Sequence, residues 1–198
     1  MSSESGEAGT RARILEAASK LLMARGYARM TVREIAAEVG ISNPSLYHHF
    51  ASKGEILAEL VAEPLARVEE ALDRASHLRG VDRARCIIGG MLDALEIHSG
   101  ATMAAFRIAG ELPEPYRDLA LAMRPHILEM LSDTVADDHR DLRLTMAIAA
   151  VDGAVADLMR VSKDATAFTK NLRGSRDAIL ELAMGILRAP LGSEPGAH

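Results

Sequence analysis

The chain has 198 residues, 48% of them hydrophobic and 26% charged, which excludes a disordered polymer and suffices for a core that needs no disulfide or metal staple. No eighteen-residue apolar run is present, and Met1 is followed by Ser, Glu and Gly instead of a basic and then an apolar stretch, so no membrane partner, no secretion signal and a cytoplasmic location are expected. A formal net charge of -5 excludes a protein that coats nucleic acid over its whole surface, and Cys86, the single cysteine, has no partner for an internal disulfide.

Apolar residues recur every three or four positions, with no sustained alternation and no Asn-Gly or Asp-Gly hairpin signal, so an all-α fold of about nine helices is expected. After a disordered tail over residues 1–9, a first helix is predicted from Thr10 to Gly26, with Ile14, Ala17, Ala18, Leu21 and Leu22 inward. Arg11 and Arg13 then fall in its first turn, against the helix dipole, a placement that favours a nearby anion. Helices follow from Thr31 to Val39, from Ser42 to Phe50, and from Ser52 to His77 with an interruption at Pro64. Further helices are predicted at 81–99, 102–111, 115–136 with a kink at Pro125, 141–162 and 175–188, before a second disordered tail over 190–198. Long helices on short loops pack as an antiparallel bundle, which gives an N-terminal three-helix domain over residues 10–55 and a helical bundle over residues 56–189.

Charge follows that division. Between Thr10 and Gly54 seven bases, Arg11, Arg13, Lys20, Arg25, Arg29, Arg33 and Lys53, face three acids, Glu16, Glu34 and Glu38. From Val61 to His198 sixteen bases face 21 acids. A small basic unit on a larger acidic one fits a phosphate-binding end and a body kept off the polyanion.

In Thr31-Val32-Arg33-Glu34 the hydroxyl and the carboxylate can cap the helix start reciprocally. Gly40 supplies a turn, Ile41 plugs the corner, Ser42 or Asn43 caps the next helix, Pro44 suits its first turn, and Leu46 and Phe50 share its buried side. This is helix, tight turn, short helix, a corner that many bundles contain. The chemistry is more specific: from Ser42 to Gly54 there is no acid, while Ser42, Asn43, Ser45, Tyr47, His48 and Lys53 offer hydrogen bonds without a repelling charge. Ser52-Lys53-Gly54-Glu55 repeats the capping pattern at a helix start where a phosphate could sit.

The segment from Thr10 to Leu57, above all Thr31-Val32-Arg33-Glu34-Ile35-Ala36, Gly40-Ile41-Ser42 and Leu46-Tyr47-His48-His49-Phe50 followed by Ser52-Lys53, resembles the tetracycline-repressor (TetR) family. The resemblance implies an all-α homodimer with an N-terminal domain on double-stranded operator DNA and a C-terminal domain that binds a small-molecule effector and dimerises. Thr31, Ser42, Tyr47, His48 and Lys53 would hold phosphates, with Arg33 beside them and Asn43, Pro44 and Ser45 nearest the bases. Gly54 departs from the family, which has a better helix former there. With no Arg or Lys between Ser42 and Phe50, bidentate guanine contacts are absent, and specificity is expected from two half-sites roughly 34 Å apart.

In the body, the small residues Ala147, Ala149, Ala150, Gly153, Ala154 and Ala156 would let a helix approach closely, and with Ile179, Leu182, Ala183, Ile186 and Leu187 they form the candidate dimer interface. His98, His126 and Asp152 fall on otherwise apolar stripes; with Met91, Leu95, Met103, Phe106, Met123 and Met130 they are the candidate effector pocket, or else polar groups satisfied within the core.

Rival readings are an architectural DNA-binding protein without effector and, more distantly, an all-α enzyme. No Gly-rich phosphate loop, Gly-x-Ser-x-Gly or His-Glu-x-x-His occurs, and Asp137-Asp138-His139 are consecutive, so their side chains diverge on a helix; no enzyme activity, cofactor or metal is expected.

Overall fold

The computed structural model describes residues 2–97, 112, 114 and 116–189. Eight helices cover most of them: α1 (Ser2–Arg25), α2 (Val32–Val39), α3 (Asn43–His49), α4 (Lys53–Ser76), α5 (Gly80–Ile97), α6 (Tyr116–Met130), α7 (Arg140–Val161) and α8 (Ala165–Arg188), with 3-10 turns at Tyr27–Arg29 and Leu131–Thr134 and no strand among the described residues. The predicted helix at 102–111 and the tail at 190–198 lie outside the described residues.

Helix α1 begins at Ser2, not Thr10, so residues 2–9 are helical and no disordered tail. The shift puts Arg11 and Arg13 well inside α1. Their partners lie within the chain: Arg11 finds its anion in the Glu59 carboxylate of α4 and also donates to the His49 carbonyl of α3 at 2.6 Å, while Arg13 donates to the Val39 carbonyl at the end of α2.

Ile14, Ala18 and Leu22 of α1, Ile35 and Val39 of α2, and Leu46 and Phe50 at α3 are buried together with Ile56, Leu57, Leu60 and Val61 of α4. Burying such side chains contributes about 1.5–3 kcal/mol each. The same core continues along α4 through Leu65, Val68 and Leu72 to Ile87, Ile88 and Leu92 of α5. Helix α4 therefore belongs to both halves, and it runs unbroken across the expected border at 55/56. Pro64 does not interrupt it: Pro64 is buried, and the flanking apolar packing outweighs the one hydrogen bond that proline removes. Helices α4 and α5 cross so closely that a Cβ on Gly90 would overlap the Ala71 Cβ.

Two guanidiniums, one half-buried and one buried, close the body. Arg83 of α5 donates to Leu78 O at 2.8 Å, Ala75 O at 3.3 Å and Met130 O at 3.2 Å and pairs with Asp133 at 3.1 Å, which ties down the ends of α4 and α6. Arg143 of α7, 5% exposed, donates to Ile186 O at 3.0 Å and Leu187 O at 2.6 Å at the end of α8 and pairs with Asp137. Asp137 is thus engaged structurally. Helix α8 starts ten residues before the expected Ser175, because the Asp164 carboxylate accepts from the Ala167 amide at 2.8 Å and caps it there.

Candidate nucleic-acid interface and cavity

Local chemistry fixes α2 and α3 at both ends. Thr31 Oγ1 accepts from the Glu34 amide at 3.2 Å while the Glu34 carboxylate accepts from the Thr31 amide at 3.0 Å and hydroxyl at 2.8 Å. Arg25 pairs with the same carboxylate. Gly40, at φ 75 and ψ 35, takes the left-handed cap conformation, and the Ile41 amide closes on Ala36 O at 3.0 Å. One residue later Ser42 Oγ accepts from the Ser45 amide at 3.2 Å, and Pro44 stands in the first turn of α3. Leu46 and Phe50 hold the buried side of α3, so Asn43, Pro44, Tyr47 and His48 form one exposed face, with Tyr47 53% exposed.

No acid lies on that face. Thr31, Arg33 and Ser42 are exposed beside it and Ser45 is half-buried. Arg33 makes no ion pair among the described residues. Much of the remaining positive charge is neutralised: Arg25 by Glu34, Lys20 by Glu16 at 2.8 Å, and Arg11 by Glu59, with the Arg11 guanidinium also lying 4.1 Å over the Phe50 ring. Lys53 differs from the expected phosphate ligand. Its ammonium donates to Tyr27 O at 3.1 Å and Met30 O at 3.2 Å and lies 4.0 Å over the Tyr27 ring, which anchors the turn between α1 and α2. The expected box at Ser52 is also altered: Ser52 accepts from the Glu55 amide at 3.1 Å, but the Glu55 carboxylate turns to the Ala51 amide.

The body contains a cavity of about 290 Å³ lined by Met91 of α5, Ala120, Leu121, Arg124, Pro125 and Ile127 of α6, and Ile148 and Asp152 of α7. Of the expected pocket residues, Met91 and Asp152 are there. Leu95 and Met123 are buried in the core, Met130 is half-buried beside it, and His98, Met103 and Phe106 lie outside the described residues. His126 is exposed, not buried. The inward stripe of α6 is Ala120, Met123 and Ile127, continued by Leu131; of the stripe expected from periodicity, Met123 is buried and Leu119 and Met130 are half-buried against the core, while Ala122 and His126 turn to solvent. Arg124 and Asp152 pair across the cavity at 3.5 Å. Burial pushes the Asp152 carboxyl up, and Arg124 opposes the rise.

The expected dimer residues divide. Ile179 and Ala183 are buried in the chain's own core and are corrected to core residues. Ala150, Ala154 and Ile186 are half-buried, and Gly153 and Leu182 are exposed. With Leu142, Met146, Ala149 and Ala156 of α7 and Ala178 and Gly185 of α8, the last two make an outward apolar stripe at helical spacing.

The family description of bacterial regulatory proteins, tetR family, matches residues 14–60, the stretch that holds this helix-turn-helix. Over this stretch the chain is similar to the TetR family. Among curated TetR relatives, the HTH-type transcriptional repressor KstR2 of Mycobacterium tuberculosis is 36% identical over 92 residues, 44% of this chain and 45% of that repressor. The chain thus matches less than half the length of that relative. Among solved structures, Mycobacterium smegmatis AmtR superposes with a TM-score of 0.65 at 23% identity, covering 91% of this chain and 86% of its own. AibR in complex with isovaleryl coenzyme A and operator DNA superposes with a TM-score of 0.62 at 18% identity, covering 89% and 97%. Both likenesses show that the TetR fold extends over the body.

Proposed function

We propose that this chain is a non-enzymatic, homodimeric transcriptional regulator, a repressor that leaves a palindromic double-stranded operator when a small, largely apolar effector enters the cavity between α5, α6 and α7. The observation that carries the reading is the acid-free face of Asn43, Pro44, Tyr47 and His48 on a helix whose orientation is fixed by caps and by the Arg11 bridge. Thr31, Arg33, Ser42 and Tyr47 contact phosphates, while Asn43 and Ser45 offer hydrogen bonds and Pro44 an apolar contact to base edges. Lys53 acts through the turn that it anchors. The name of the KstR2 relative supports the repressor sense, and the AibR complex supports joint binding of operator and effector. The outward stripe on α7 and α8 joins two copies, and the effector acts by its unequal affinity for the free and DNA-bound geometries.

A fluorescence-anisotropy titration against the DNA flanking its own gene tests the reading. Wild type should bind with a steep inverse salt dependence. Tyr47→Ala should bind at least tenfold more weakly with an unchanged melting temperature. Equal binding by both proteins would refute the assigned face, and binding that no compound capable of shifting the melting temperature can weaken would leave an effector-free DNA-binding protein.

A further inference from the structure

The cavity makes a narrower demand than apolarity. Among the described residues its wall is apolar except for Arg124 of α6 and Asp152 of α7. These two stand 3.5 Å apart, beyond the 2.7–3.2 Å of an ordinary N–H···O bond, so each keeps hydrogen-bonding capacity that the other does not satisfy. A ligand carboxylate would draw Arg124 away and leave a partly desolvated carboxylate unpaired, and a ligand ammonium would do the reverse. A hydroxyl does neither. Its oxygen accepts from Arg124 and its proton is donated to Asp152, so the pair remains neutral while both members gain a charge-assisted bond.

We propose that the cavity binds a small neutral amphiphile with one hydroxyl group, its apolar body against Met91, Ile127 and Ile148 and its hydroxyl inserted between Arg124 and Asp152. The inference rests on the effector reading of this cavity given above. The space, about 290 Å³, is at the small end of ligand pockets and suits a ligand of the size of an eight-carbon chain. The raised Asp152 carboxyl agrees, since a desolvated carboxylate gains most from an added donor.

Calorimetric titration of the full chain at neutral pH with 1-octanol, octanoate and octylammonium tests the class. The alcohol should bind at least tenfold more tightly than either charged congener. Asp152→Ala should weaken 1-octanol at least fivefold and abolish the preference, and Leu121→Trp, at a half-exposed wall position, should block binding without unfolding the core. A charged congener that binds as tightly as the alcohol, or 1-octanol binding unchanged by Leu121→Trp, would overturn the proposal. If 1-octanol binds as expected while operator affinity stays unmoved, the ligand class stands and the effector role fails.

Discussion

In α2 and α3 the free helix ends are closed by residues close in sequence: Thr31 and Glu34, Gly40 and Ile41, Ser42 and Ser45. In α7 and α8 an end is closed from far away, because the carbonyls of Ile186 and Leu187 are reached by Arg143, more than forty positions earlier. The first kind of order is set by short-range contacts and, seated on the core that α1 and α4 complete, presents a preset face. The second exists only when the hairpin is assembled, and it leaves small side chains and a cavity where closer packing would otherwise occur. Under the proposed function, the first kind serves the domain that meets a fixed helical lattice, and the second the domain that accommodates a ligand and a partner.

That contrast can be broken at several points. Leu182→Glu charges the outward stripe of the hairpin without touching the core; it is expected to convert a dimer to a monomer in sedimentation and, through lost bivalency, to lower operator affinity by about a hundredfold. A variant that stayed dimeric would place the interface elsewhere. Arg143→Ala removes the long-range closure and strands Asp137 and two carbonyls, so urea unfolding should show a loss of about 3 kcal/mol. Gly90→Val forces α4 and α5 apart at Ala71, with an expected loss of about 2 kcal/mol by the same measurement. Thr31→Ala, which removes a local cap, should cost only about 1 kcal/mol.

The last variant also carries a pH signature. The Thr31 hydroxyl and amide, with Arg25 adding to them, hold the Glu34 carboxyl below its ordinary value of 4.5. A carboxyl lowered on folding stabilises the fold above its ordinary range, and that contribution is lost as pH falls through its folded value. Melting curves of wild type and Thr31→Ala should therefore draw together on acidification.

How much was legible in the sequence follows the same division. The caps of α2 and α3 and the glycine corner are short-range chemistry, and they read directly. The cap at Asp164 is of the same kind, and it starts α8 ten residues before the expected Ser175. Stripes in the body were legible in period but only partly in phase: on α6 Met123 is inward as expected, but Ala120 and Ile127 take the places of Ala122 and His126, which leaves His126 at the surface and Arg124 at the cavity. On α8 the core took Ile179 and Ala183 from the candidate interface. Arg11 and Lys53 were legible as cations but not in their partners, since Glu59 and the carbonyls of Tyr27 and Met30 are brought near only by the fold.

The Arg11 bridge has a practical consequence for building hybrid regulators. A cut at the expected border after residue 55 would separate Arg11 from Glu59 and leave a guanidinium on Phe50 facing whatever helix the recipient supplies. Residues 56–61 also carry Ile56, Leu57, Leu60 and Val61, which complete the first core. The exchangeable DNA-reading cassette therefore ends near Val61, inside α4, and a graft cut there should read its own operator while answering to the recipient's effector.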